Sequence, residues 1–307
     1  MKVYLNNPKE SWVVDRFRQE WLTYNKSISS NFLFNSDIIW LISPWTWKKI
    51  PISKLARKKV VCTIHHIDEE KFDHNQKADF YKRDEIVNEY HVISDSTHRQ
   101  LSKYTKKTIH TIPFWLNRNI WFQIEDKKEL RKKYNIPINS FVIGSFQRDT
   151  EGSDLQSPKL SKGPDQFIEI VSQLNKRNKN LLVLLTGKRR QYILKKLEEA
   201  SISVACSRWN EPFGRSSLEA SSRGCAVIIS DRGGLKETIT NAIVIKELNY
   251  INIYKSIKSL IDKQKKLKDM QKRSLKNFYL TDRYISSIID EYRASFFNKH
   301  VHDNLKN

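Results

Sequence analysis

"SVACSRWNEPFGRSSLEASSRGCAVIISDRGGLKE", Ser203–Glu237, decides the fold. Two apolar runs, Ser203–Ser207 and Ala226–Ser230, read as buried strands. The polar stretch between them begins "EPFG" and continues as a short helix that Gly224 ends. Strand, polar loop, helix, strand is one turn of a parallel β-α-β winding. Ser216 and Glu219 have S-x-x-E spacing, which predicts a capping box with the helix starting at Ser216. That reading uses Glu219 and leaves Glu211 without a task.

The same alternation extends in both directions. Upstream lie strand-like runs at 2–6, 37–43, 60–66, 90–94 and 108–114, with helical patterns at 12–21, 78–88 and 96–105. A second series opens near residue 120. It has a charged helix at 126–137, strands at 141–146 and 181–187, and helices from Pro164 to Asn175 and at 191–200. Past the opening stretch come a strand at 242–247 and helices at 249–264, 266–278 and 282–296. Two successive series predict an α/β protein of two Rossmann-like domains with parallel sheets facing across a cleft. The N-terminal domain covers 1–120 and the C-terminal domain 121–281, with the helix at 282–307 packing back on the first. A chain of 307 residues has room for both.

Composition excludes several classes. Apolar residues make up 39% and aromatics 11%, too many for a disordered chain. No apolar run approaches the roughly 20 residues of a membrane span. "MKVYLNN" begins directly with a strand, without a signal-like segment, which predicts a cytoplasmic protein. The three cysteines, Cys62, Cys206 and Cys225, sit singly in strand-like runs as small core residues. A net charge of +21 suits an anionic partner: nucleic acid, an anionic membrane face or a phosphorylated substrate. A general richness in Lys, Asn and Ile accounts for it equally.

Ligands of open α/β sheets bind beyond the carboxyl ends of the strands. His65 and His66 follow one strand. The loop "QRDTEGSDLQSPKLSKGPDQF" follows another and carries Arg148, Lys159 and Lys162 ahead of a helix begun by Pro164. A helix start beside such cations can hold a diphosphate, while the loop taken alone reads first as a solvated basic loop. Gly214 and the amides of Arg215, Ser216 and Ser217 form a second such start, and "DRGGLKE" a third. G-x-G-x-x-G and G-x-x-x-x-G-K-[ST] are both absent, which argues against a nicotinamide dehydrogenase and a P-loop enzyme. "HHIDEEKFDH" (65–74) lacks the spacing of a metal site and reads as a solvated acidic helix start. No D-x-D pair is present to hold a metal on phosphates.

Residues 211–237 resemble the E-x7-E region of the family-4 glycosyltransferases, which have the GT-B fold. "GSFQRD…SKGPDQFIEIV" is similar to their arginine-then-KG loop, "TIHH" to their T-x-H-D strand end, and "VISDST" and "IPFWLNRNIWF" to two further segments. The resemblance spans roughly 60–290. It implies a retaining glycosyltransferase moving a sugar, typically a hexose, from a nucleotide-sugar to a glycan or lipid-linked acceptor in cell-envelope polysaccharide synthesis. It implies further that Glu219 binds the ribose and Glu211 the donor sugar, that Arg148 and Lys162 neutralise the diphosphate with Lys159 competing, and that His65 reaches the sugar. Phe213, Gly214, Arg215 and Ser216 complete the donor loop. No metal, cofactor or nucleic acid is expected. A basic nucleic-acid-binding protein and a non-catalytic nucleotide-sugar-binding subunit are the alternatives. "SPWTWKKIPISKLARKK" (43–59) sets Trp45 and Trp47 beside lysines, which suits peripheral contact with the anionic inner membrane leaflet and equally suits tryptophans packed in the N-terminal core beside solvated lysines.

Overall fold

The computed structural model describes residues 2–10, 13–117, 128–133, 135–147, 157–177, 181–185, 201–239 and 241–276. The chain divides into two compact units, the first running to Phe114 and the second beginning at Trp115. The expected seam at 120 and the helix at 282–307 lie outside the described residues, as does the helix at 191–200.

The first unit holds an all-parallel sheet of β1 (Val3–Leu5), β2 (Ile38–Leu41), β3 (Lys59–Ile64), β4 (Glu89–Val92) and β5 (Thr108–Thr111), in that order. Sheets covered on both faces need apolar residues at successive positions. Accordingly all four residues of β2 and of β4 are buried. Helix α1 (Val13–Tyr24) follows β1. Next come α2 (Ile52–Leu55), α3 (His74–Ile86) and α4 (Asp95–Leu101). On one face, Ile39, Leu41, Cys62, Ile64 and Val92 pack with Leu55 of α2, Phe80 of α3 and Leu101 of α4. Strand side chains alternate, so Trp40 points the other way. It meets Trp21 of α1 edge-on at 5.0 Å. Helix α1 therefore covers the face opposite α2–α4.

The path of the chain explains why. Before reaching β2 it passes the free edge of β1, where Ser29 bridges Val3 in parallel and the Ser30 N–H donates to the Val3 carbonyl at 2.8 Å. The winding runs outward from β1, then returns across it. Reversal of direction with one crossover hand moves the connecting helix to the other face.

Polar groups thread the α1 side of this sheet. Trp40 Nε1 donates to Thr63 Oγ1 at 2.8 Å, Thr63 Oγ1 lies 3.0 Å from His91 Nδ1, and His91 Nε2 lies 2.7 Å from the Ile112 carbonyl oxygen. A carbonyl only accepts, so Nε2 carries the proton. Thr63 takes a hydrogen from Trp40 and gives its own to Nδ1. Burial pushes His91 down to about 3, against the pull of the Ile112 bond. At the amino ends of the strands, Glu89 bonds Lys59 at 2.8 Å and His110 at 2.9 Å. Burial alone would raise its carboxyl; the bonds from His110 and Lys59 outweigh that and hold it at about 2.

The second unit opens with α5 (Lys128–Lys133) and contains β6 (Phe141–Ser145), α6 (Pro164–Arg177), β7 (Leu181–Leu185), β8 (Ile202–Ala205), α7 (Arg215–Ser222), β9 (Ala226–Ser230), α8 (Leu235–Thr238), β10 (Ala242–Ile245), α9 (Tyr250–Asp262) and α10 (Gln264–Lys276). Its parallel sheet runs β10-β9-β8-β6-β7. Phe167, Ile170 and Leu174 of α6 and Ile253, Ile257 and Leu260 of α9 share one cluster with Ile143, Val204 and Ile228 of the sheet. Two α/β units with parallel sheets are the expected fold class.

The 43–59 stretch differs from the expected surface. Trp47 is buried in the first unit's core, within a 3₁₀ turn over Pro44–Lys49. Lys48 pairs with Asp79, Lys49 Nζ donates to the Pro8 carbonyl at 3.1 Å, and Lys59 is enclosed with Glu89. Only Trp45 of the two tryptophans is substantially exposed. Of the two rings beside lysines, Trp47 alone is drawn into the core. "HHIDEEKFDH" is the loop leading into α3, whose Asp73 caps the Gln76 N–H at 2.8 Å. Among the described residues no cluster of His, Cys, Asp and Glu could hold a metal, and no helix is long and apolar enough to cross a membrane. The three cysteines are buried and unpaired with one another.

Candidate functional site: a lysine–glutamate pair at the sheet reversal

In the second unit β6 and β8 are neighbours, and the winding reverses between them. Loops leaving such a pair diverge and leave room for a ligand at the carboxyl ends. The loop after β6 ends in a 3₁₀ turn over Leu160–Lys162 closed by Gly163, whose φ is 71°. Any Cβ at Gly163 would collide with the Cys206 carbonyl oxygen, so the two loops meet backbone to backbone. Arg208 fastens them. Its guanidinium spans both carboxylate oxygens of Asp165 at 2.7 and 2.6 Å and reaches the Leu160 carbonyl at 2.6 Å. Its N–H donates to the Ser161 carbonyl at 2.8 Å. The Asp165 carboxyl is held below its ordinary range by that Arg208 bond.

The turn delivers Lys162 to Glu211, and the two side chains are in direct contact with 12% and 11% of their surface exposed. The Lys162 ammonium also sits 4.5 Å from the centre of the Trp209 ring. Ser207 Oγ donates to the same Glu211 oxygen at 3.3 Å. Burial pushes Lys162 down to about 7, and the charge of Lys159 pushes the same way. The adjoining carboxylate favours the ammonium form. The Lys162 amine is thus largely enclosed, in contact with Glu211 and close to the Trp209 ring. Lys159, half-buried, opens the turn by accepting the Lys162 N–H at 2.9 Å. Arg148 lies outside the described residues.

Helix α7 starts beyond Phe213 and Gly214. Phe213 is buried, and its carbonyl accepts the Thr238 hydroxyl at 2.5 Å. Gly214 has φ 73° and is the residue before the first helical one, Arg215. The expected capping box at Ser216 does not form, and the helix has no side-chain cap. The left-handed glycine puts the N-cap two residues before Ser216, so Glu219 stands too deep to reach back. Instead Arg215 Nε bonds Glu219 Oε1 at 2.7 Å across one turn. Burial drives Arg215 down from its ordinary range while Glu219 opposes this. Ser216, in the first turn, is partly exposed. The Gly234 N–H donates to the Glu211 carbonyl at 2.6 Å, which brings the "DRGG" turn beside the site.

Lys162, Glu211, Phe213, Gly214, Arg215, Ser216 and Glu219 thus belong to one end of one sheet. His65 belongs to the first unit, just past β3. It is buried, its Nε2 donates to the Ile42 carbonyl at 2.8 Å, and it stacks on Phe114 at 5.6 Å. Burial holds it down at about 4. It borders an open groove of about 620 Å³ that Trp45, His66, Phe72 and Asn75 also line. Sequence reasoning missed Ser207, Arg208 and Trp209. The clue was "KGPD" with "CSRW": a glycine turn and an acid matched by an arginine in the next strand–loop junction.

Residues 128–277 match the family model described as glycosyl transferases group 1. The match covers most of the second unit. Among solved structures, the chain is similar to Anabaena HepE in complex with UDP and glucose, at 13% identity, 96% of this chain, 99% of that chain and a TM-score of 0.73. It is similar to WaaG, a glycosyltransferase involved in lipopolysaccharide biosynthesis, at 11% identity over 97% and 100% of the chains with a TM-score of 0.67. Sucrose-phosphate synthase from Thermosynechococcus elongatus follows at 13%, 97% and 83%, with 0.65. No curated protein matches the chain. At these identities the likeness is one of fold, and the fold is GT-B: two Rossmann-like units, each with its own parallel sheet.

Proposed function

We propose that the protein is a retaining glycosyltransferase that moves a hexose from a nucleoside-diphosphate sugar to a hydroxyl of a glycan or lipid-linked saccharide, in cell-envelope polysaccharide synthesis. The observation that carries this reading is the buried Lys162–Glu211 pair at the start of α7, where β6 and β8 diverge. The similarity to HepE in complex with UDP, alone or with glucose, and to WaaG, involved in lipopolysaccharide biosynthesis, supports the donor and acceptor classes.

In this reading the donor diphosphate lies against the Lys162 ammonium and the first amides of α7. As the bond between the anomeric carbon and the diphosphate breaks, negative charge grows on the leaving oxygen. A preorganised, desolvated cation stabilises that charge more than it stabilises the ground state. Glu211, fixed by Lys162 and Ser207, accepts hydrogen bonds from sugar hydroxyls. Glu219, fixed by Arg215, accepts from the ribose. The acceptor oxygen bonds to the anomeric carbon on the face the diphosphate leaves, and its proton passes to the departing phosphate. Arg215 is then a positioning residue, not a phosphate ligand.

Calorimetry with a panel of nucleoside diphosphates and nucleotide-sugars tests this. Lys162→Met lowers diphosphate affinity about tenfold or more, the worth of one charge-assisted hydrogen bond. Glu211→Gln leaves diphosphate affinity near that of the parent and depresses sugar transfer. Transfer survives EDTA, because Lys162 and helix amides do the work a cation would. Parent protein that binds no diphosphate overturns the reading. Activity lost to EDTA and restored by magnesium overturns its metal-free part.

A further inference from the structure

Between α1 and β2 the first unit presents two phenylalanines to solvent. Phe32 is 61% and Phe34 69% exposed, their ring centres 5.7 Å apart. They are among the most exposed large apolar side chains described, and they stand together. Isolated exposed apolar residues need no explanation, whereas adjacent ones do. The loop that carries them is built, not loose. Leu33, between them, turns inward and packs against the core cluster. Residues Leu33–Asn35 form a 3₁₀ turn, Ser36 Oγ donates to the Leu33 carbonyl at 2.7 Å, and the Phe32 N–H donates to Ser30 Oγ at 3.2 Å. Lys58 Nζ donates to the Phe34 carbonyl at 3.2 Å and bonds the Ser36 carbonyl too, which ties the loop to the end of α2.

Cations are tied to the loop itself: Lys2 and Lys58 both bond its carbonyls, and Asp37 accepts the Lys2 N–H at 2.6 Å. Lys26, Lys54 and Arg57 are exposed. Lys26 begins the loop, and Lys2 Nζ reaches the Ser27 carbonyl at 2.6 Å. Arg57 adjoins the Lys58 that holds the Phe34 carbonyl. Paired rings at the tip with cations behind them match the layering of a bilayer surface: acyl boundary outside, anionic headgroups next.

We infer that the Phe32–Phe34 loop, flanked by Lys2, Lys26, Arg57 and Lys58, docks the protein on an anionic lipid surface. Two copies of this chain meeting through the loop would press like-charged rims together, which disfavours a homodimer there. The surface shares only Arg57 and Lys58 with the 43–59 stretch, whose Trp47 and Lys59 are buried. It does not depend on the proposed transfer reaction, because docking needs no donor.

The test is co-sedimentation of the full chain with vesicles of phosphatidylcholine alone or mixed with phosphatidylglycerol, at low and high salt. Binding is expected to the mixed vesicles at low salt and to fade at high salt. Phe32→Ser with Phe34→Ser is expected to weaken it about tenfold. Lys26→Gln with Arg57→Gln is expected to weaken it about fivefold per charge. Both variants keep nucleoside-diphosphate affinity and the parent's melting curve. A second readout keeps both rings: Asn31→Cys carrying a polarity-sensitive dye, the native thiols being buried, shifts to the blue on mixed vesicles. Failure to bind mixed vesicles, equal binding to both compositions, or binding indifferent to the phenylalanines overturns the inference. Self-association abolished by the phenylalanine substitutions overturns it in favour of a second copy.

Discussion

Gly163 carries two constraints at once: a left-handed backbone and a carbonyl oxygen where a side chain would be. Its replacement by alanine adds roughly 1–2 kcal/mol of backbone strain and forces the Cys206 loop outward. Lys162 is the preceding residue, so the ammonium moves with the turn. Gly163→Ala is expected to lower both the melting temperature, by scanning fluorimetry, and diphosphate affinity. Unchanged affinity with a lowered melting point would separate the turn from the site. At this scale the sequence was partly legible. "SKG" and "EPFG" mark two loops that the structure brings together at one sheet end. The capping box was misread because S-x-x-E spacing says nothing about Gly214, and the φ of Gly214 sets where the helix starts. The Arg215–Glu219 pair has plain i,i+4 spacing, which sequence alone does not distinguish from two side chains aimed at a ligand.

Strands were the most legible elements. Parallel strands buried on both faces read as unbroken apolar runs, as "AVIIS" does with all five residues buried. Short 3₁₀ turns were not legible, because Pro44–Lys49 has no period, and burial of Trp47 but not Trp45 is decided by tertiary packing. The charged tie across β3, β4 and β5 was also invisible, since Lys59, Glu89 and His110 meet only through the sheet. Glu89 titrates at about 2 when folded, below its ordinary 4.5. Its contribution is present above about 4.5 and is lost as pH falls toward 2. His65 and His91, at about 4 and 3, begin the loss earlier, as pH drops below the ordinary 6.5. Melting temperature is therefore expected to fall in two stages on acidification. Glu89→Gln removes one partner of an enclosed pair, costs ~3 kcal/mol at neutral pH and flattens the lower stage. A parallel acid limb in parent and variant would contradict this.

Over the whole molecule, each sheet reverses direction once, and apolar runs in sequence leave strand order unspecified. In the second unit the reversal falls between β6 and β8. In the first, the outward excursion past β1 is a single bridge at Ser29, too short to register as a strand. That bridge has a colloidal consequence. The outer rim of β1 is a row of backbone donors and acceptors, the kind of edge on which other chains nucleate. Ser29 and Ser30 occupy it, and the net charge of +21 keeps neighbouring molecules apart. The two protections have different ranges. Charge repulsion acts over about 8 Å at physiological salt and collapses to about 3 Å at 1 M; the bridge acts only at contact. Ser29 is already extended, with φ −91° and ψ 148°, a conformation compatible with a following proline. Ser30→Pro removes the N–H that closes the rim while leaving the fold's strands untouched. Light scattering should find this variant monodisperse at low salt and clustering as salt rises, while the parent stays dispersed across the series. Equal clouding of both would mean that the edge of β1 plays no part in solubility, and that charge alone keeps the molecules in solution.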